Sequence, residues 1–329
     1  MHPNVSSWGG NAVKDPTTGR WHLFAAEITN GCGLAHWGSN SRVIHATAST
    51  PEGPFTRADQ VVGVFAHNPQ MVYVPHPATQ QDGSGTADAW ILFHITHKTP
   101  VNIPNCTADG TGKDNHTSPD GDQAGSGNIR TAPGPNGPWT SIGSGGCNNA
   151  GPYHHPNGSW YQLCRDGGGG ELYNATLRTT NNITSKQWSV AAHVAGPHWP
   201  NDSGVGRRNC EDHFMWQNKK GYWFGLHHCF GGGTASNPAV SSFSYSRDGL
   251  VWTTSFRQPY GYTVAVADGT TYTLTTRERP KLLLDADLQP AGLYNGARNA
   301  HGTKDQGKGK LGTDWTFTHF QSVGRSSLE

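Results

Sequence analysis

The sequence predicts an all-β protein, a single-domain five-bladed β-propeller, and three observations support this prediction. The chain has 44 glycines and 12 tryptophans among 329 residues, and charged residues make up only 14%, which is typical of short strands joined by many turns. Amphipathic helical periodicity is almost absent, while short aromatic and β-branched runs recur between Gly, Pro, Asn and Asp. These runs form units of about 45 to 65 residues with about four strands each, as propeller blades do.

The clearest repeat is a tight turn followed by an aromatic-rich strand. Four copies cover residues 15–24, 89–94, 155–163 and 218–226, and a degenerate fifth copy covers 279–293. Segment 98–136 is full of Gly, Asn, Asp and Thr and has no strand pattern, so it is predicted to be a long inserted loop. The propeller is expected to span residues 1–322, and residues 323–329 are expected to be a remnant of cloning.

Composition excludes several classes of partner. A net charge of +1 without clustered Lys and Arg argues against nucleic acid and membrane surfaces, and the chain is expected to be a monomer. Six cysteines without a CxxC pair predict no zinc site but are compatible with up to three disulfides. Seven glycosylation sequons favour a secreted glycoprotein, although an unglycosylated protein with buried thiols remains open. The sequons begin at Asn4, Asn105, Asn115, Asn157, Asn174, Asn182 and Asn201.

Short polar segments precede the five hairpin repeats, where the inner strand of each blade would begin. They are residues 8–11, 66–69, 147–152, 207–214 and 277–280. The inner strands of a propeller surround one axis, so these segments would meet there. Because unpaired polar groups are costly to bury, the set predicts a wet ligand-binding centre. The alternative is that Asn and His only cap the inner strands.

The acidic pair Glu211–Asp212 is the strongest single signal in these segments. Adjacent strand residues point to opposite faces, so one carboxylate can face the axis while the other braces a neighbouring strand. A carboxyl group in a partly dry funnel can have a raised pKa and serve as a general acid. A salt bridge with Arg207 or Arg208 is the competing interpretation.

The hairpin repeats and the motif Cys210-Glu-Asp-His-Phe-Met-Trp216 resemble the five-bladed propeller glycoside hydrolases of families 43, 32 and 68. The segment Arg277-Glu-Arg-Pro-Lys-Leu-Leu283 is similar to a last-blade signature of uncharacterised relatives. The resemblance implies a secreted glycoside hydrolase, exo-acting on a plant or algal glycan. Its partner would be an oligo- or polysaccharide. It implies no required cofactor, with a structural ion in the central channel as an option.

The same resemblance implies that Glu211 is the general acid. The two Asp residues of that superfamily correspond here to Gly10–Asn11 and to Asn68, none of which is a carboxylate. Glu278 and Asp212 therefore compete for the second catalytic carboxylate. Asp166, or a histidine such as His155, is a further alternative.

A larger set is predicted to hold the sugar, with Trp8 as the stacking platform. The adjacent rings of His227 and His228 would point to opposite faces of a strand, so no metal site is predicted from them. Two other functions stay open: a sugar-binding propeller without catalysis, and a polysaccharide lyase that uses His, Asn and Arg. The predicted substrate-binding residues are Trp8, Asn11, His67, Asn68, Asn149, Arg165, His228 and Arg277.

Overall fold

A computed structural model confirms the five-bladed, all-β prediction: five four-stranded antiparallel sheets follow one another along the chain. It describes residues 5–75, 89–96, 103–106, 127–145, 147–165, 173–185, 187–195, 210–229, 233–234, 237–238, 240–255, 257–266, 268–299 and 315–324.

Each sheet is one blade, and its strands are numbered in chain order. Blade 1 contains β1 (Ser6–Lys14), β2 (Trp21–Ile28), β3 (Ser41–Ala48) and β4 (Thr56–Val62). Blade 2 contains β5 (Ala66–Val74), β6 (Ala89–Thr96), β7 (Gly127–Ala132) and β8 (Thr140–Ser144). Blade 3 contains β9 (Asn148–His154), β10 (Trp160–Arg165), β11 (Tyr173–Thr180) and β12 (Ser189–Ala195).

The last two blades complete the ring. Blade 4 contains β13 (Cys210–Gln217), β14 (Trp223–Cys229), β17 (Ser241–Ser246) and β18 (Trp252–Ser255), with the small hairpin β15 (Gly233–Thr234) and β16 (Asn237–Pro238) between them. Blade 5 contains β19 (Thr263–Ala265), β20 (Thr271–Leu284), β21 (Pro290–Asn299) and β22 (Phe317–Ser322). The inner strands are β1, β5, β9, β13 and the second half of β20.

Apolar side chains from facing sheets fill the space between neighbouring blades. Between blades 1 and 2, Phe24 and Val43 pack against Met71 and Leu92. Equivalent clusters join the other neighbouring blades, including blade 5 with blade 1. A fully buried Leu or Phe contributes roughly 1.5–3 kcal/mol, so these five clusters fix the blades around the axis.

The ring closes through polar contacts between β1 and Thr316, the residue before β22. Ser6 Oγ lies 2.7 Å from Thr316 Oγ1, and the Ser7 N–H donates to the Thr316 carbonyl at 3.1 Å. None of the helices in the described ranges is long and apolar enough to cross a membrane.

All five inner strands carry the same β-bulge near their first residues. In each bulge, two residues that are three positions apart on the inner strand pair with residues only two positions apart on the neighbouring strand. These inner-strand residues are Trp8 and Asn11, His67 and Gln70, Asn148 and Gly151, Glu211 and Phe214, and Glu278 and Lys281. The second residue of every bulge has a left-handed φ between 50° and 60°; these residues are Gly9, Asn68, Asn149, Asp212 and Arg279. An extra residue bends a strand and re-aims side chains, so the bulges place five equivalent residues around the axis.

The inserted loop is shorter than the sequence predicts. Residues 127–132 form β7, the third strand of blade 2, whereas the whole segment 98–136 was expected to lack strands. Strand β7 pairs with β6 and β8 through residues that include Asn128, Ile129 and Arg130. The neighbouring strands therefore stabilise an extended segment whose own sequence has no strand pattern. Residues 107–126 of the predicted loop lie outside the described part.

All six cysteines are paired, in the disulfides Cys32–Cys106, Cys147–Cys164 and Cys210–Cys229. Three disulfides are typical of proteins from an oxidising, extracellular environment.

Candidate active site

Four of the five bulge residues, Asn68, Asn149, Asp212 and Arg279, form a polar ring at one end of the propeller axis. Asn68 Nδ2 donates to Asn149 Oδ1 at 3.0 Å and to Asp212 Oδ1 at 3.3 Å. Arg279 Nη1 donates to the same Asp212 oxygen. Blades 2, 3, 4 and 5 are therefore joined directly through side chains, and blade 1 contributes Gly9 at the equivalent position.

Glu211 lies beside this ring and is only 6% exposed. Its Oε2 accepts hydrogen bonds from Asn149 Nδ2 at 3.0 Å and from the Arg165 guanidinium. Burial, and next the negative charge of Asp212, raise the pKa of Glu211 to about 7, against the opposing effect of Arg279 and Arg165. A carboxyl group with this pKa can carry a proton near neutral pH and give it to a leaving group.

Asp212 is the permanent anion of the site. It is fully buried, which by itself would raise its pKa, but the Arg279 guanidinium and His228 hold that pKa well below its ordinary value. An ion-paired carboxylate with no exposed surface cannot reach a substrate. The structure thus argues against Asp212 as the second catalytic carboxylate.

Glu278 is the more accessible acidic group, with 22% of its side chain exposed. His228 connects the two: its Nδ1 lies 3.5 Å from Asp212 Oδ2 and its Nε2 lies 4.0 Å from Glu278 Oε1. Burial raises the pKa of Glu278, while His228 and Arg279 partly offset this effect. Blades 4 and 5 therefore bring the carboxyl groups of Glu211 and Glu278 to the same place.

The same four residues are the strongest candidate cation site in the described ranges outside the disulfides. Glu211, Asp212, His228 and Glu278 each offer one ligand atom, and these atoms lie within 4.8 Å of one another. Two guanidinium groups, however, already lie on Asp212 and Glu211. These guanidinium groups already supply positive charge to the carboxylates, so the site fits a metal ion less well.

His67 was predicted to bind the substrate, but its neighbours Ser41 and Trp37 were not. The ring of His67 is buried next to the polar ring, and Ser41 Oγ lies 2.8 Å from its Nδ1. Burial, together with Arg279, lowers the pKa of His67 well below its ordinary value, so the imidazole is neutral. Trp37, on the short helix α1 (Trp37–Asn40), lies over it with ring centroids 5.2 Å apart.

Three predicted sugar-binding residues are elsewhere. Trp8 is fully buried against Gly296 of β21, so its predicted stacking on a sugar is wrong. Asn11 uses both ends of its amide on the backbone of Met71, at 2.9 and 2.8 Å, and so joins blades 1 and 2. Arg277 is 1% exposed and points into blade 5, where it donates to Asn295, Gly261 and Gln321. Each of the three packs or forms hydrogen bonds within or between blades, so none of them faces a ligand.

The other predicted residues also have defined positions. Asn68, Asn149, Arg165 and His228 are in the network described above, whereas His155 stacks on Trp223 beside the turn between β9 and β10. His227 is buried and contacts His213 and Ser244. Asp166, Arg207 and Arg208 lie outside the described residues.

Arg279 is the functional residue that the motif analysis missed. It follows Glu278 just as Asp212 follows Glu211 and Asn68 follows His67. Aligning the five inner-strand segments residue by residue would have identified it.

A large cavity lies at the other end of the axis. It has a volume of about 890 Å³ and is lined mostly by apolar side chains from the last residues of the inner strands, including Tyr73, Tyr153 and Trp216. None of the acidic site residues lines it. Because the carboxylates and their partners are at the opposite end, the chemistry points to the polar ring and not to this cavity.

No family model matches the sequence, and no curated protein matches it. Solved structures do match. The α-L-arabinofuranosidase from Lactobacillus brevis has 10% identity and a TM-score of 0.57, with 99% of this chain and 94% of that chain covered. A thermostable family-43 glycoside hydrolase has 10% identity and a TM-score of 0.55, covering 99% and 93%.

A third similar structure is the α-L-arabinofuranosidase from Podospora anserina in complex with cellotriose. It has 12% identity and a TM-score of 0.56, covering 98% of this chain and 92% of that one. The chain therefore has the five-bladed propeller fold of glycoside hydrolases over its whole length. At these identities the similarity shows the fold alone.

Proposed function

We propose that the protein is a secreted glycoside hydrolase in which Glu211 is the general acid and Glu278 the nucleophile. The observation that carries this proposal is the meeting of these two carboxyl groups at the axis, one from blade 4 and one from blade 5, with one oxygen of each within 4.8 Å of the other. Glycoside hydrolysis needs two such groups on either side of the bond that breaks.

In the proposed reaction Glu211 transfers protons and Glu278 bonds to the anomeric carbon. Protonated Glu211 gives its proton to the glycosidic oxygen as the bond to the anomeric carbon breaks, and the Glu278 carboxylate forms a bond to that carbon. Ionised Glu211 then takes a proton from a water molecule, whose oxygen displaces Glu278. Arg279 holds Asp212 in place, and the negative charge of Asp212 favours the protonated form of Glu211. No step requires a cofactor.

Two neighbours in structure are α-L-arabinofuranosidases by name, so arabinose-containing plant glycans come first as candidate substrates. The three disulfides support an extracellular location. An exo mode of action and a monomeric state remain part of the proposal.

A non-catalytic sugar binder is the second candidate, and blade 1 favours it. In place of a carboxylate this blade presents Gly9 and Gly10, and the next polar residue, Asn11, is bound to the Met71 backbone. A lyase gains no such support, because Arg165 and Arg279 are both paired with carboxylates and would have to leave them to neutralise a uronate.

Incubation with arabinan, arabinoxylan, β-1,3-galactan and 4-nitrophenyl glycosides tests these options. New reducing ends with the wild type, and none with Glu211→Gln, support the hydrolase. Absorbance of unsaturated uronates on a pectin substrate indicates a lyase. Thermal stabilisation by a glycan without any product indicates the binder.

A further inference from the structure

We infer that Trp37 forms the stacking wall of a sugar-binding subsite at the rim of the polar ring and selects a neutral sugar unit there. This inference rests on the proposed function and adds a substrate-contacting residue that the motifs did not suggest. It also replaces the buried Trp8 in the role of aromatic platform.

Trp37 lies at the acidic end of the propeller. The connection between β2 and β3, which carries it, is at the same end of blade 1 as the first residues of β1, because β2 and β3 run antiparallel to their neighbours. Its ring lies over His67 at 5.2 Å and 36°, and His67 directly precedes Asn68 of the polar ring. A sugar unit beside Trp37 would therefore adjoin the unit at Glu211.

Exposure sets this side chain apart. Trp37 is 36% exposed, and it is the only tryptophan among the large hydrophobic side chains that the described residues expose. The other tryptophans there are partly or fully buried, several of them in the clusters between blades. Aromatic rings bury large areas and prefer defined packing geometries, so an exposed one beside a polar site is suited to cover the apolar C–H face of a sugar.

The connection is held firmly. The Cys32–Cys106 disulfide joins it to the segment 103–106, and the Cys106 N–H donates to the Asn30 carbonyl at 2.9 Å. Buried Asn40, at the end of α1, donates to the Pro104 carbonyl at 2.8 Å and to the Thr29 carbonyl at 3.3 Å. A platform fixed in this way loses little conformational entropy when a ligand binds.

The surroundings of Trp37 favour a neutral sugar over a uronate. The neighbouring His67 is buried, and its Nδ1 contacts Ser41. The two arginines of the site are already paired with Glu211 and Asp212. Among the residues that the structure describes, a carboxylate on the sugar would lose its hydration here without gaining an unpaired arginine of the site.

The experiment compares wild type with Trp37→Ala, Trp37→Phe and the control Tyr222→Ala, whose 42% exposed ring is in the turn between β13 and β14. The substrates are neutral arabino- and galacto-oligosaccharides, and thermal unfolding confirms that each variant is folded. We expect Trp37→Ala to lower kcat/KM about tenfold or more, mainly through KM. Trp37→Phe keeps most of the activity and Tyr222→Ala keeps all of it.

A second measurement follows binding directly. Oligosaccharide binding to the inactive Glu211→Gln protein should change tryptophan fluorescence, and the change should vanish when Trp37→Ala is added. If wild type acts on a glycan and Trp37→Ala behaves like Tyr222→Ala, the inference about Trp37 is overturned and the proposed function stands. If wild type neither binds nor cleaves any glycan, both are wrong.

Discussion

Arg279 occupies the space that a side chain on Gly9 would fill. A Cβ atom added to Gly9 would lie 2.8 Å from Arg279 Cβ and 3.1 Å from Arg279 Cγ. These two residues are equivalent positions of neighbouring blades, both with a left-handed φ. Because Gly9 has no side chain, blade 1 leaves room for Arg279, which reaches Asp212.

This relationship predicts the effect of Gly9→Ala. Gly19 is a matched control, because its φ is +71° and nothing lies within 4 Å of an added Cβ. Gly19→Ala should cost only the backbone strain of about 1–2 kcal/mol, while Gly9→Ala should cost at least about 1 kcal/mol more because Arg279 must move. Chemical denaturation measures both, and equal losses would contradict the close packing of Arg279 on Gly9.

The buried pair of Asp212 and Arg279 predicts a second effect on stability. Asp212→Asn leaves a buried guanidinium without its counter-charge, which typically costs about 3–5 kcal/mol. The surface pair Lys219–Asp287, with both side chains 60% exposed, is the control, and Asp287→Asn should cost less than about 1 kcal/mol. Similar losses in urea denaturation for the two variants would mean that the central pair contributes little.

The sequence predicted the fold well because the blade repeat is local. The repeats of residues 15–24, 155–163 and 218–226 correspond to the turns that lead into β2, β10 and β14, and residues 89–94 lie in β6. Strand β7 was missed because its pairing with β6 and β8 is set by the sheet and not by its own residues.

The site was predicted less completely, for a geometric reason. The described parts of the five polar segments lie at the bulges of the inner strands, but the bulge decides which of their residues face the axis. It directs Asn68, Asn149 and Asp212 into one network, while Asn11, two residues beyond Gly9, reaches the Met71 backbone instead. A one-residue shift changes the face of a side chain, and the bulge was not recognised from the sequence.

The pKa of Glu211 predicts the alkaline limit of activity. Glu211 must be protonated to act as an acid, so kcat/KM should fall as pH rises through about 7. It should also fall at acidic pH as Glu278, whose pKa is raised above its ordinary value, takes up a proton. A pH profile of kcat/KM on a 4-nitrophenyl glycoside tests this bell shape.

Arg165 provides a way to shift that limit. Its positive charge favours the ionised form of Glu211, so Arg165→Met should raise the pKa of Glu211 and move the alkaline limb to higher pH. Arg57→Met, which removes the ion pair with Glu27 in blade 1, should leave the profile unchanged. An alkaline limb that does not move in Arg165→Met would assign it to a different group.

One disulfide directly adjoins the proposed catalytic site, and another holds the connection that carries Trp37. Cys210 precedes Glu211, Cys229 follows His228, and these two cysteines face each other across β13 and β14. Replacing both by Ala should lower the free energy of unfolding by about 2–4 kcal/mol. It should also reduce kcat, because the bond between the strands that carry Glu211 and His228 is lost. Replacing Cys32 and Cys106 should instead raise KM, because that disulfide holds the connection that carries Trp37. Unchanged kcat in the Cys210/Cys229 variant would show that the strands position Glu211 without the bond.

The separation of the two carboxyl groups predicts the stereochemical outcome. Inverting glycosidases keep their carboxyl groups about 6.5–9.5 Å apart to leave room for a water molecule, whereas retaining enzymes hold them about 5–5.5 Å apart. Because one oxygen of Glu211 lies within 4.8 Å of one oxygen of Glu278, we expect the carboxyl groups to be closer to the retaining than to the inverting separation, and the first product to keep the anomeric configuration of the substrate. Proton NMR of early products distinguishes the anomers, and methanol should be glycosylated with the same configuration. An inverted first product would make Glu278 a base acting through water, or transfer its role to another carboxylate.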